Sequence, residues 1–204
     1  IEPIAKKLKP FLQFRIGQMY RNGLGTDVDI PKAITYFQQS AEHGNVHAKR
    51  IIALEYISGE FLEQDIDKGI SILTECADSG DKLFCYWIGK IYLDGKITAQ
   101  DLDKAEKYLL AADKNEYTFY ALGKLYLTEE KRDVQRSVSY FEQCSDTNSW
   151  VKYQLGKIYL FGCGDVQQNR EKALDYLTFS AEQGNEYAQN LIDHETEYEN
   201  VMGS

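Results

Sequence analysis

The chain has 204 residues, with 23 Lys and Arg against 32 Asp and Glu, for a formal charge of −9. Hydrophobic residues make up 43% and charged residues 27%, which excludes wholesale disorder, and no apolar run is long enough for a membrane-spanning helix. The acidic balance argues against direct nucleic-acid binding, because phosphate contacts draw their affinity from clustered Lys and Arg.

No signal peptide opens the chain, and Cys76, Cys85, Cys144 and Cys163 follow no C-x-x-C spacing. The expectation is a cytoplasmic protein with reduced cysteines and no cofactor. An initiator Met is missing and the chain ends in Gly203-Ser204, so a piece of something longer is expected.

One motif organises the elements in chain order. It first reads Phe14-Arg15-Ile16-Gly17-Gln18-Met19-Tyr20, and recurs over Arg50 to Tyr56, Tyr86 to Tyr92, Tyr120 to Tyr126 and Tyr153 to Tyr159. Apolar residues at helical spacing, such as Ile88, Ile91 and Tyr92, predict a first helix, A, in each copy. Three residues before each closing tyrosine stands Gly17, Ala53, Gly89, Gly123 or Gly156. A mid-helix glycine costs about 1 kcal/mol relative to Ala, so this recurrence predicts close approach by a neighbouring helix. Ala53 in the series implies that alanine is tolerated at Gly89. Gly23, Gly59, Gly95 and Gly162 fit a left-handed stop, with Glu129 the exception in the fourth copy.

A second helix, B, follows each loop. It opens on acidic or proline residues, as at Asp29-Ile30-Pro31 and Asp101-Leu102-Asp103, which suit a helix N-terminus. It carries Ala33, Tyr36 and Phe37 in the first copy and Ala173, Tyr176 and Leu177 in the fifth, and ends at pairs such as Gly44-Asn45 and Gly184-Asn185. The hairpins are bounded at about 12–45, 46–81, 82–115, 116–148 and 149–185, followed by a capping helix from about 186, all in one domain.

Written as Ala-x-x-x-Leu-Gly-x-x-Tyr-x-x-Gly, a loop, Lys-Ala-x-x-Tyr and Ala-Glu-x-Gly-Asn, the unit resembles the Sel-1-like repeat, a relative of the tetratricopeptide unit. The fullest copy runs from Lys152 to Asn185, with Leu155-Gly156, Tyr159, Gly162, Lys172-Ala173 and Ala181 to Asn185 in place. The resemblance covers residues 12–193. It implies an all-α fold, a right-handed α-solenoid of about five helix-turn-helix repeats, and a role as a protein-interaction adaptor. The stretches Leu155–Leu160 and Ala181–Gln189 are also similar to the repeat-containing C-terminal parts of bacterial mobilisation relaxases. A relaxase needs a histidine cluster and a catalytic tyrosine in a separate domain, and His43, His47 and His194 form no cluster in the sequence.

No catalytic constellation emerges. His43 and His47 stand four apart, but Gly44-Asn45 between them predicts a turn rather than a metal pair. Gly162-Cys163-Gly164 lacks the residues of a phosphate loop, and no Gly-x-Ser-x-Gly occurs. The run Glu195 to Glu199 reads as a solvated capping helix. Some secreted members of the repeat family carry disulfides in each repeat and have been connected with β-lactam binding; the cysteines here do not recur by repeat.

Positions −2, +1 and +5 from the helix-A glycine fall on the face opposite it, expected to be concave. Position −2 gives Arg15, Ile51, Trp87 and Gln154, and position +1 gives Leu54, Lys90, Lys124 and Lys157. The expectation is a non-enzymatic scaffold whose groove binds a peptide or helix of another protein. Ile51, Leu54 and Trp87 would anchor it, and the three lysines would select an acidic segment. The alternatives are an accessory nucleic-acid-binding module and a hydrolytic or β-lactam-binding repeat protein. The oligomeric state is not legible.

Overall fold

A computed structural model describes the backbone of residues 2–202 and the side chains of residues 9–194. The described residues form eleven α-helices, with one isolated bridge between Cys163 and Val166 and no strand. The chain falls into two compact units that meet in sequence between Ala112 and Asp113. The first contains α1 (Glu2–Asn22), α2 (Ile30–Glu42), α3 (Val46–Ser58), α4 (Ile66–Asp78), α5 (Lys82–Asp94) and α6 (Leu102–Ala111). The second contains α7 (Glu116–Leu125), α8 (Val134–Glu142), α9 (Ser149–Phe161), α10 (Arg170–Glu182) and α11 (Glu186–Met202). Within each unit every helix packs against the next in sequence. The expected all-α solenoid fold is borne out. The side chains of Glu195 to Glu199 lie outside the described residues.

Each of the five hairpins is closed by the same clamp. The N-cap residue of helix B, Asp29, Asp65, Asp101, Asp133 or Asn169, donates its backbone N–H to the carbonyl of the closing tyrosine, Tyr20, Tyr56, Tyr92, Tyr126 or Tyr159, at 2.8–3.1 Å. Its side chain accepts from the backbone N–H three residues on, meeting one of the unsatisfied donors of the helix start. That third residue is always a cation, and it lies over the tyrosine ring. Lys32, Lys68, Lys104, Arg136 and Lys172 sit 5.4, 4.2, 5.0, 4.2 and 4.1 Å from the ring centres. In four hairpins a helix-B tyrosine stacks on the same ring, as in Tyr92–Tyr108 at 6.3 Å and Tyr159–Tyr176 at 6.0 Å; Ile72 replaces it in the second hairpin.

The helix-A glycines make the close approach. A Cβ on Gly17 would lie 2.6 Å from the Phe37 ring, on Gly89 2.9 Å from Leu109, and on Gly156 2.7 Å from Leu177. Phe141 crowds Gly123 in the same way. The second hairpin reverses the arrangement, with Ala53 on helix A and Gly69 where the other helices B carry Ala or Ser. A Cβ on Gly69 would sit 2.7 Å from the Ala53 carbonyl oxygen. Gly69 lets helix B approach the Ala53 backbone, whereas a Cβ on Gly89 would meet Leu109, so the two contacts differ and Ala53 is no direct precedent for alanine at Gly89.

The helix-A stop also behaves as the spacing predicts, with Gly59 at φ 70° and Gly95 at φ 62°. Where Glu129 replaces this glycine, α7 ends at Leu125, before its tyrosine, whereas α3, α5 and α9 run two residues past theirs. The chain leaves α7 through short-range bonds, Leu127 N–H to Lys124 O and Thr128 N–H to Leu125 O, which need no positive φ.

Candidate protein-binding surface

In the first unit three of the expected residues come together. Leu54 from α3 and Trp87 and Lys90 from α5 line a cavity of about 200 Å³ with Ile91, Asp94, Lys96 and Ile97. Trp87 lies two residues before Gly89, whose own face is taken by Leu109, so its indole projects away from α6 and stays half-buried. Tyr86 meets the indole edge-on at 5.9 Å, and the Arg50 guanidinium carbon lies 5.7 Å from its ring centre. Lys90 is exposed.

The other expected residues are placed elsewhere. Ile51 packs against the cluster of Ala33, Ile34, Phe37 and Ile52 rather than lining the cavity. Arg15 is exposed on α1 and donates to Gln18 Oε1 at 3.0 Å. Lys124, on α7, and Gln154 and Lys157, on α9, belong to the second unit. Lys124 is exposed, while Lys157 lies 5.4 Å from the Tyr153 ring centre. Gln154 bonds the Tyr120 phenol, which opposes the upward push that burial gives that group.

The second unit carries an aromatic surface that the sequence analysis does not single out. Tyr117, Trp150 and Tyr187 each stand two residues after an Asn that caps a helix start, namely Asn115, Asn148 and Asn185. They are 73%, 48% and 60% exposed. Trp150 meets Tyr153 at right angles with centroids 6.2 Å apart, and Tyr187 at 5.8 Å. Counting from the capping Asn, rather than from the glycine, would have exposed this register, which Leu83 also shares after Asp81.

Burial raises the thiol pKa values of Cys76 and Cys85, and pushes that of Cys144 up to about 11 with a contribution from the Glu116 charge. Such thiols are poor nucleophiles. His43 closes α2 and His47 begins α3, on either side of the expected turn, both exposed. Among the described residues no group of three or more His, Cys, Asp and Glu could hold a metal, and no helix is long and apolar enough to cross a membrane.

The Sel1 repeat pattern matches residues 10–45, 83–112, 120–145 and 152–185, more than half of the chain. The chain belongs to the Sel1 repeat family. The second hairpin, where Ala53 and Gly69 are exchanged, lies between two matched stretches. Sel1 repeat proteins generally act as non-catalytic protein-interaction scaffolds. Among solved structures the chain is similar to a protective antigen present in uropathogenic Escherichia coli strains that displays an SLR fold. They share 26% identity at a TM-score of 0.78, over 91% of this chain and 41% of that one. It is also similar to a Sel1 repeat protein from Oxalobacter formigenes, 27% identical at a TM-score of 0.71 over 88% and 75% of the two chains. A putative sel1 repeat protein from Klebsiella pneumoniae shares the fold at 18% identity and a TM-score of 0.54, over 93% and 94%. This chain therefore spans less than half the length of the Escherichia coli antigen. Comparison with curated proteins found no match.

Proposed function

We propose that this Sel1 repeat chain is a non-enzymatic interaction module whose first unit binds a partner segment at the Leu54–Trp87–Lys90 cavity. The segment carries an apolar anchor next to a carboxylate. The observation that carries this reading is a half-buried indole opening onto a cavity walled by Leu54, Ile91 and Ile97, with Lys90 and Lys96 beside it. Apolar area covered there contributes about 25 cal/mol per Å². The lysines orient the segment and speed encounter, being screened at physiological salt. Arg15, on α1, and Ile51, three residues before Leu54 on α3, share the register without lining the cavity. Lys124, Lys157 and Gln154 hold the same register in the second unit, where the exposed Lys124 extends the selection. The resemblance of Leu155–Leu160 and Ala181–Gln189 to relaxase modules supports a place as the accessory part of such an enzyme.

A displayed library of random peptides tests the reading. Selected peptides should carry Asp or Glu within two residues of a bulky apolar residue, and Trp87→Ala should abolish their binding through faster dissociation. Selection that ignores acidic residues, or that survives both Trp87→Ala and Leu54→Asp, overturns it.

A further inference from the structure

A second cavity, of about 450 Å³, opens in the second unit between the starts of α7 and α9, lined by Glu116, Tyr117, Tyr120, Asn148 and Trp150. Its chemistry is the reverse of the first. Three aromatic side chains and one carboxylate face it, and no cation is among its lining residues. Glu116 Oε1 accepts from Asn148 Nδ2 across the gap between the two helices, while Asn148 Oδ1 caps α9 by accepting from Val151 N–H. The bond from Asn148 to Oε1 holds the Glu116 carboxylate at the cavity, and a carboxylate has further lone pairs to offer a donor. Trp150 is held in place by its contacts with Tyr153 and Tyr187, yet remains half exposed. The basic side chains nearest in sequence are not among its lining residues. Lys114 lines a different cavity with Phe119 and Arg136, Lys152 pairs with Asp146 at 2.8 Å, and Lys157 lies over Tyr153.

Aromatic faces attract cations, Trp most strongly, and a planar guanidinium both stacks on an indole and donates to a carboxylate. This chain uses the same attraction in every hairpin, where Lys or Arg covers the closing tyrosine. We propose that the Trp150 cavity is a second recognition site, which receives an arginine side chain from a basic segment of a partner protein. The guanidinium stacks on Trp150 and donates to the Glu116 carboxylate, and the tyrosines wall the aliphatic stem. The chain's charge of −9 draws such a segment in. The site deepens the interaction-module reading, but it uses residues separate from the first cavity, so either can fail without the other.

The probe is the peptide acetyl-Gly-Arg-Gly-amide, against its citrulline counterpart, which has the same shape without the charge. Binding is followed by NMR line broadening of the peptide with the full chain, at about 150 mM salt to screen distant charges to a range of about 8 Å. The arginine peptide should bind at least about tenfold more tightly than the citrulline one. Trp150→Ala and Glu116→Gln should each weaken it about fivefold or more, with Trp150→Phe losing less than Trp150→Ala. Glu171→Gln removes a charge from an exposed position on α10 and should change nothing. Circular dichroism establishes that each variant is folded. Equal binding of the two peptides overturns the proposal, as does binding that survives Trp150→Ala or falls as much in Glu171→Gln as in Glu116→Gln.

Discussion

Glu55, half-buried on α3, titrates against the fold. Burial raises its pKa and the Glu60 charge adds to this, while a backbone N–H bond from Phe61 and the charge of Arg21 oppose it. A carboxyl whose folded pKa exceeds its unfolded value binds more protons when folded, so stability falls as pH rises through that interval. Glu55→Gln should therefore match the parent in acid and exceed it at neutral pH. Urea denaturation at the two pH values checks this, and a larger loss at neutral pH than in acid would contradict it. Asp29 and Asp101 act the other way. Their carboxyls are held below the usual range, Asp29 chiefly by the Lys32 side chain and Asp101 chiefly by the Lys104 backbone N–H. Their contribution is present above the unfolded pKa and is lost as pH falls through the folded one. The cysteines separate by burial: Cys76, Cys85 and Cys144 are buried, and Cys163 in the loop after α9 is half-buried. Cys163 should react first with Ellman's reagent under native conditions, and the other three only on unfolding. Modification of Cys144 as fast as Cys163 would show that the second unit opens locally.

At the scale of the helix pair, the exchange between Ala53 and Gly69 makes the inter-helix contact a two-residue property. Gly89→Ala forces Leu109 aside and should cost about 1–3 kcal/mol, the range for overpacking in a close-packed core. Adding Ala105→Gly rebuilds the arrangement of the second hairpin and should recover part of that loss. Denaturant unfolding of the single and double variants measures the coupling, and strictly additive losses would mean the two positions do not communicate. Gly89→Leu should cost more than Gly89→Ala. The hairpins were legible in the sequence because Gly-x-x-Tyr-x-x-Gly is local, every interval lying within two helical turns. The partner of Ala53 was not, because it stands on the other helix and enters only through packing. The cation over each tyrosine is a similar case: Lys32 or Lys172 reads as a surface residue until the N-cap three positions earlier brings it round to the ring.

For the whole molecule, each unit has its own core. The first is built on Phe37, Leu73, Phe84 and Ile88, and the second on Phe141, Val151, Leu155 and Leu177. Stability in such arrays resides in each hairpin and its nearest neighbours. A fragment ending at Ala112 should therefore keep its helicity and unfold cooperatively, which circular dichroism on heating would show; a fragment lacking helix would place its stability in residues beyond Ala112. Of the candidate surface, Leu54, Trp87 and Lys90 were legible because the equivalent faces of α3 and α5 carry them in register. Ile51 was not, although it shares that face, because its turn of α3 lies against the Phe37 cluster. Trp150 and Tyr117 escaped because their register runs from the capping Asn.

The reversed small residues of the second hairpin also bear on how such arrays are inherited. A crossover in the loop between helices A and B would join Ala53 to a partner still carrying its methyl, or a glycine to one that has lost it. The first product is overfilled and the second leaves a void. A crossover at Gly44-Asn45 or Gly80-Asp81 keeps each pair together. Shuffling among repeats thus has the hairpin as its smallest exchangeable block, and chimeras cut between hairpins should outlast those cut within them.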